Sequence, residues 1–146
     1  MDAKRFATGT VVGGIVMFAT GYLIFNVVFA EFYRANGVSG VDREMPMMWA
    51  GMLASLSYAA LITYALGARS RTSIASAALV GAIAGLLLWA TADFTMYGFM
   101  NVQNLKRTLV DPALEFVHGG IGGAAIGAVL MAMRESPRVP VAEARV

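Results

Sequence analysis

Residues 8–30 read TGTVVGGIVMFATGYLIFNVVFA, 23 positions without a charge. A helix needs about 20 apolar residues to cross a hydrocarbon core about 30 Å thick, so this run can span a membrane. Three more such runs follow. Residues 45–66 are uncharged, residues 74–100 are interrupted once by Asp93, and residues 109–133 carry Asp111, Glu115 and His118 in their first half. None shows the period-two alternation of a transmembrane barrel. The expected fold is all-α: a polytopic four-transmembrane-helix bundle over residues 1–133, with spans at about 8–30, 45–66, 74–100 and 109–133, and a disordered tail at 134–146 that contains Pro137 and Pro140.

The rest of the composition agrees. The chain is 146 residues, 58% hydrophobic and 14% charged, whereas soluble domains run about 45–50% apolar and about 25% charged. Disorder requires the opposite balance. With no cysteine, a disulfide scaffold and a thiolate metal site are both excluded. The net charge of +2 does not point to nucleic acid, because the basic residues fall between apolar runs rather than on one face.

Their distribution gives an orientation. Lys4, Arg5, Arg69, Arg71, Arg134, Arg138 and Arg145 belong to one side, and Arg34, Arg43, Lys106 and Arg107 to the other. The positive-inside rule then places both termini in the cytoplasm, of a bacterial inner membrane. Val28-Phe29-Ala30 has the small residue a signal peptidase accepts, but the apolar run is far longer than a signal core of about 7–15 residues. An uncleaved first span is expected.

Gly119, Gly123 and Gly127 recur at four-residue spacing in the fourth span, and Gly81 and Gly85 in the third. In lipid, helices associate by close backbone approach, which small residues permit. These stripes mark faces that meet, either inside one chain or in a homodimer. A shift of 68 residues aligns Val12-Gly13-x-Ile15 with Val80-Gly81-x-Ile83 and Gly51 with Gly119, a faint two-helix duplication.

Ionisable groups inside a span are costly and mark functional sites. Asp111, Glu115 and His118 share one helical face, and Glu115-x-x-His118 has the spacing by which bundle helices present a carboxylate and an imidazole to a metal. Asp93 on the neighbouring span closes the group. One reading is an outer-facing acidic pocket that binds a proton, a cation or a small ligand, with His118 as its pH-sensitive member. The other is structural: Asp111-Pro112 as helix cap and first helical residue, Glu115 in the first turn at headgroup level, and Asp93 satisfied by Thr91, Thr95, Tyr97 and Asn101. Met45, Met47, Met48, Met52, Met96 and Met100 near the only histidine suggest Cu(I), against the plainer role of filling apolar gaps. No phosphate loop, nucleophile elbow, zinc-protease motif or cofactor box is present, so no cofactor is expected.

Ala90-Thr91-Ala92-Asp93-Phe94-Thr95-Met96-Tyr97, a short Asn-containing loop and Leu109-Val110-Asp111-Pro112 resemble small four-helix bacterial integral-membrane proteins classed as domains of unknown function. Tyr22, Phe25, Phe29 and Tyr33 at the end of the first span share that look. The resemblance implies the layout of spans, carries no activity, and does not extend to Glu115 and His118. Function is therefore expected to be non-enzymatic, with the lipid bilayer as the main partner. Three readings stay open: a small transporter, working as a homodimer, around Asp93, Glu115 and His118; an accessory subunit packed on a larger membrane complex through its glycine faces; and an intramembrane metal enzyme.

Overall fold

The computed structural model describes residues 1–38, 40–41, 43–68 and 73–133. The described elements are α1 (Ala3–Gly21), which continues as a π-helical segment (Tyr22–Val28), then α2 (Ala30–Asn36), α3 (Met48–Gly67), α4 (Ile74–Phe99) and α5 (Leu105–Ala132). Four helical stretches, Ala3–Val28, Met48–Gly67, Ile74–Phe99 and Leu105–Ala132, are long and apolar enough to cross a membrane. The protein is thus an all-α four-span bundle, with α2 added between the first two spans. The expected tail at 134–146, and Arg69, Arg71, Arg134, Arg138 and Arg145, lie outside the described residues.

Side chains that take up the free N–H groups of the first turn set the helix starts. Asp2 accepts from Arg5 N at 2.9 Å, and Ser73 and Ser76 form a reciprocal box on α4. Asn104 accepts from Arg107 N at 3.0 Å, so α5 begins at Leu105 rather than 109. That corrects the capping assignment for Asp111. Asp111-Pro112 lies inside the helix, where Pro112 cannot donate to the Thr108 carbonyl. The first span likewise starts at Ala3 rather than 8.

The spans differ in how much they bury. In α5 44% of the most apolar window is buried within the chain, against 17–28% in the other three, so α5 is the central helix. Its glycines make that possible. A methyl group on Gly81 would overlap the Gly119 carbonyl, and one on Gly119 the Gly81 carbonyl. Gly123 and Gly127 meet Ala77, while Gly85 meets the Glu115 carbonyl and the Tyr58 hydroxyl. All five glycines face neighbours in the same chain. On α1, Gly9 lies against Thr63 and Gly13 against Ile126 and Ala59.

Met17, Ala59, Ile62, Leu66, Ala77, Ile126 and Leu130 belong to a buried apolar core. Arg5 donates to the Leu130 carbonyl at 3.1 Å, which brings the first turn of α1 beside the last turns of α5. The opposite half of the bundle holds Asp93, Gln103, Thr108, Asp111, Glu115 and His118, all buried. Outward-facing leucines, valines and isoleucines are exposed on every span, as lipid contact requires and water would not tolerate. Trp49, Tyr97 and Phe99 stand exposed at the polar end, where an interfacial aromatic belt belongs. The 68-residue shift also relates Asn36 to Asn104, and these two hydrogen-bond each other at 3.0 Å.

Candidate functional site

Three polar groups occupy the half of the bundle opposite the described termini, from its end to its middle. The outermost is a latch. After Val28 the chain turns into α2, and Asn36, Gly37 and Val38 pair with the α4–α5 connection through the Asn36–Asn104 bond, Asn104 N to Asn36 O at 3.2 Å and Val38 N to Val102 O at 3.1 Å. The latch sets Tyr33 over α5, where its hydroxyl donates to Asp111 Oδ1. The Arg107 guanidinium lies 4.9 Å from the centre of the Tyr33 ring, a cation–π contact. Burial, then the Asp111 bond, pushes the Tyr33 phenol well above its ordinary pKa. Tyr33 therefore remains the donor, and Asp111 the acceptor.

The second group centres on Asp93, which is 0% exposed. Gln103 Nε2 donates to Asp93 Oδ1 and to Thr108 Oγ1, each at 3.1 Å. Asp93 Oδ2 is buried with no hydrogen-bond partner among the described residues. The expected partners do something else: Thr91 and Thr95 bond backward to carbonyls of their own helix at 2.8 and 2.7 Å. Asp93 thus belongs to an α4–α5 network tied by a loop glutamine, and no group of three His, Asp or Glu residues able to hold a metal occurs among the described residues.

The third group is deepest. A rise of 1.5 Å per residue from Leu105 sets Glu115 about 15 Å and His118 about 20 Å along α5, halfway down its length of about 42 Å. Glu115 is therefore not a first-turn residue at headgroup level. His118 Nδ1 lies 2.9 Å from Glu115 Oε2, and Nε2 lies 2.9 Å from the Met17 carbonyl on α1. Gly21 permits this reach, since a Cβ there would stand 3.2 Å from Nε2.

The second contact fixes the protonation count. A carbonyl only accepts, so Nε2 must carry a hydrogen. The Glu115–Nδ1 bond then needs one more proton, on the carboxyl or on the ring. In either arrangement the pair is neutral overall and holds one shared proton, which is how two ionisable groups can sit at this depth. Both ring nitrogens are engaged, so His118 as arranged offers neither to copper or any other metal. Met45 and Met100, two of the methionines in the copper reading, point outward at 84% and 59% exposure.

A cleft leads to this pair. Its inner part, about 260 Å³, runs between α1 with its π-helical segment and the start of α3, with Met17, Phe25, Met48, Tyr58, Glu115 and His118 among its walls. A wider vestibule of about 700 Å³ is lined by Tyr33, Arg34, Arg43, Arg107, Asp111 and Glu115, among others. The aromatic walls are interlocked: Tyr58 stacks on Trp89 at 5.5 Å, and Phe25 meets the His118 ring edge-on at 5.6 Å. The Tyr58 hydroxyl is buried without a partner among the described residues. Asp93 lines neither space.

The four expected site residues are therefore all buried in one half of the bundle, but they divide among three networks. Tyr33, Arg107, Gln103, Thr108 and Tyr58 complete the arrangement without having been singled out as site residues from the sequence. Only Tyr33 left a trace, as one of the aromatic residues around the end of the first span. None of the protein-family models, curated proteins or solved structures compared with the chain matches it.

Proposed function

We propose that this is a bacterial inner-membrane protein, both termini cytoplasmic, that binds a small ligand in the cleft leading to Glu115 and His118 and moves it together with a proton. The observation that carries this reading is the pinning of His118 Nε2 on the Met17 carbonyl. It leaves the proton between Nδ1 and Glu115 as the one the pair can give up, and that proton borders an open cleft. The π-helical segment beside it supports the reading, because π-helical turns recur at functional sites and a helix can shift register through them. Transport through only four helices calls for an oligomer, here formed by a face other than the glycine seam. The same holds for the alternative of an accessory subunit, whose expected docking glycines are buried between α4 and α5.

Glu115 is the carboxyl to test. Infrared difference spectra of the purified protein, recorded with and without added ligand, are expected to show a Glu115 band, of the carboxyl or of the carboxylate paired with imidazolium, that Glu115→Gln removes. A band unchanged in Glu115→Gln would sink the proton-bearing role. The chain has no cysteine, so single cysteines placed at Asp2 and at Val41 report orientation directly by labelling from each side of oriented membranes. Labelling of both from the same side would contradict the four-span topology.

A further inference from the structure

Glu115, Trp89, Phe25, Asn26 and Pro46 line both the inner cleft and the vestibule, so the two adjoin. They differ in chemistry. The vestibule presents Arg34, Arg43 and Arg107. Against them stand Asp111, which Tyr33 engages, and Glu115, whose charge is balanced within its pair with His118. Among the described residues Arg43 and Arg107 have no ion pair, and Arg107 Nε is buried without a partner. Arg34 meets Glu31 only at 3.7 Å, with both side chains largely exposed. The vestibule is therefore a cationic mouth at the level where α5 begins, which is headgroup level.

Below it the walls are chiefly apolar and aromatic, and the floor is the neutral Glu115–His118 pair. About 16 Å of helix rise separates Arg107 from His118. A neutral ligand would leave the net positive charge of the mouth, three guanidinium groups against the Asp111 carboxylate, unmatched, an amine would be repelled by it, and a small hydrophilic anion would leave the apolar cleft unfilled. Both ends are satisfied by a molecule with an anionic head and a hydrocarbon tail. Guanidinium groups suit phosphate oxygens in particular, as planar bidentate donors. Tyr22 and Met48, lining the cleft from the π-helical segment and α3 and 52% and 50% exposed, flank an opening toward the surrounding lipid.

We propose that the cleft binds an anionic phospholipid of the surrounding bilayer, its phosphate held by Arg34, Arg43 and Arg107 and one acyl chain lying in the inner cleft toward His118. This rests on the ligand-binding reading of the same cleft and names its ligand class. The test is native mass spectrometry of the full chain in a non-ionic detergent, titrated with phosphatidylglycerol and with phosphatidylcholine of identical acyl chains. Wild type is expected to retain phosphatidylglycerol about tenfold better, because the choline ammonium of phosphatidylcholine brings a cation among the three guanidinium groups that hold the phosphate. Arg43→Gln, at an exposed residue with no hydrogen bond among the described residues, should lower that preference, and Arg43→Gln with Arg107→Gln should abolish it. Ala54→Phe, which fills the inner cleft from α3, should weaken both lipids alike. Equal retention of the two lipids by wild type would overturn the ligand class; if Ala54→Phe still weakened them, the cleft reading itself would stand. Unchanged binding of every lipid to Ala54→Phe would overturn the cleft as a binding site.

Discussion

The α4–α5 glycine seam and the polar end of the same two helices solve opposite problems. Along the seam, backbone meets backbone at Gly81, Gly119 and Gly123 with no room for a methyl group. Nothing directional is needed, because contact area between surfaces of matching shape holds helices together in lipid. From His118, next to the seam, outward to Asp111, Asp93 and Gln103, the helices and α2 are joined by single hydrogen bonds, and the aromatic walls beside them enclose a cleft. Close packing leaves no ligand space. Hydrogen-bonded networks hold helices at a distance, and so can keep one.

Substitutions should separate the two regions clearly. The largest effect is expected from Gly81→Leu, which forces bulk into the Gly119 carbonyl. Overpacking commonly costs about 1–3 kcal/mol, and more where backbone must move, so little folded protein should remain in detergent by circular dichroism. Gly98→Leu, where a side chain meets nothing within 4 Å, should be indistinguishable from wild type. Equal damage from both would mean that the seam is not what holds the bundle.

Next in size is the buried pair. Glu115→Leu leaves the neutral His118 ring with Nδ1 buried and unpaired, which costs about 1–3 kcal/mol. Glu115→Gln should cost about 1 kcal/mol, because an amide N–H still donates to a neutral Nδ1. Unfolding titrations of the two variants should therefore diverge, and coincident curves would remove the shared-proton account. Smaller again is Tyr33→Phe, expected to cost about 1–2 kcal/mol through the unpaired Asp111 acceptor. Hydrogen exchange should quicken in α2 but stay unchanged along the seam; acceleration at Gly119–Gly123 would show the regions to be coupled.

The smallest effect concerns pH. Tyr33 has a raised pKa in the folded protein, so its contribution is complete below the ordinary tyrosine value of about 10 and is lost as pH rises through the folded one. Ultraviolet titration should show the Tyr33 phenolate only beyond the range of exposed tyrosines. If Tyr33→Phe removed amplitude from the lower step, the phenol would not be buried against Asp111.

How legible each region was follows from the kind of force involved. The glycine seam could be read directly, since four-residue spacing places Gly119, Gly123 and Gly127 on one face. Only its partner was open, and the structure gives it as α4 of the same chain. The polar end misled at Asp111-Pro112, a sequence that imitates a helix start. The true cap is Asn104, marked only by an ordinary loop asparagine three residues before Arg107. Likewise Asp93 lies among threonines that could have bonded it, yet Gln103 reaches it across ten residues, and Tyr33 finds Asp111 across seventy-eight.

Hydropathy and helix period are local properties, summed over neighbours in the chain. They were enough for the four spans, the lipid setting, the small-residue faces and the shared face of Asp111, Glu115 and His118. Hydrogen bonds depend on which acceptor lies within about 3 Å, and that depends on how helices distant in sequence are placed against each other. Tertiary structure alone therefore decided that Met17 fixes the His118 proton, that the acidic residues divide into three networks, and that a cleft remains between them.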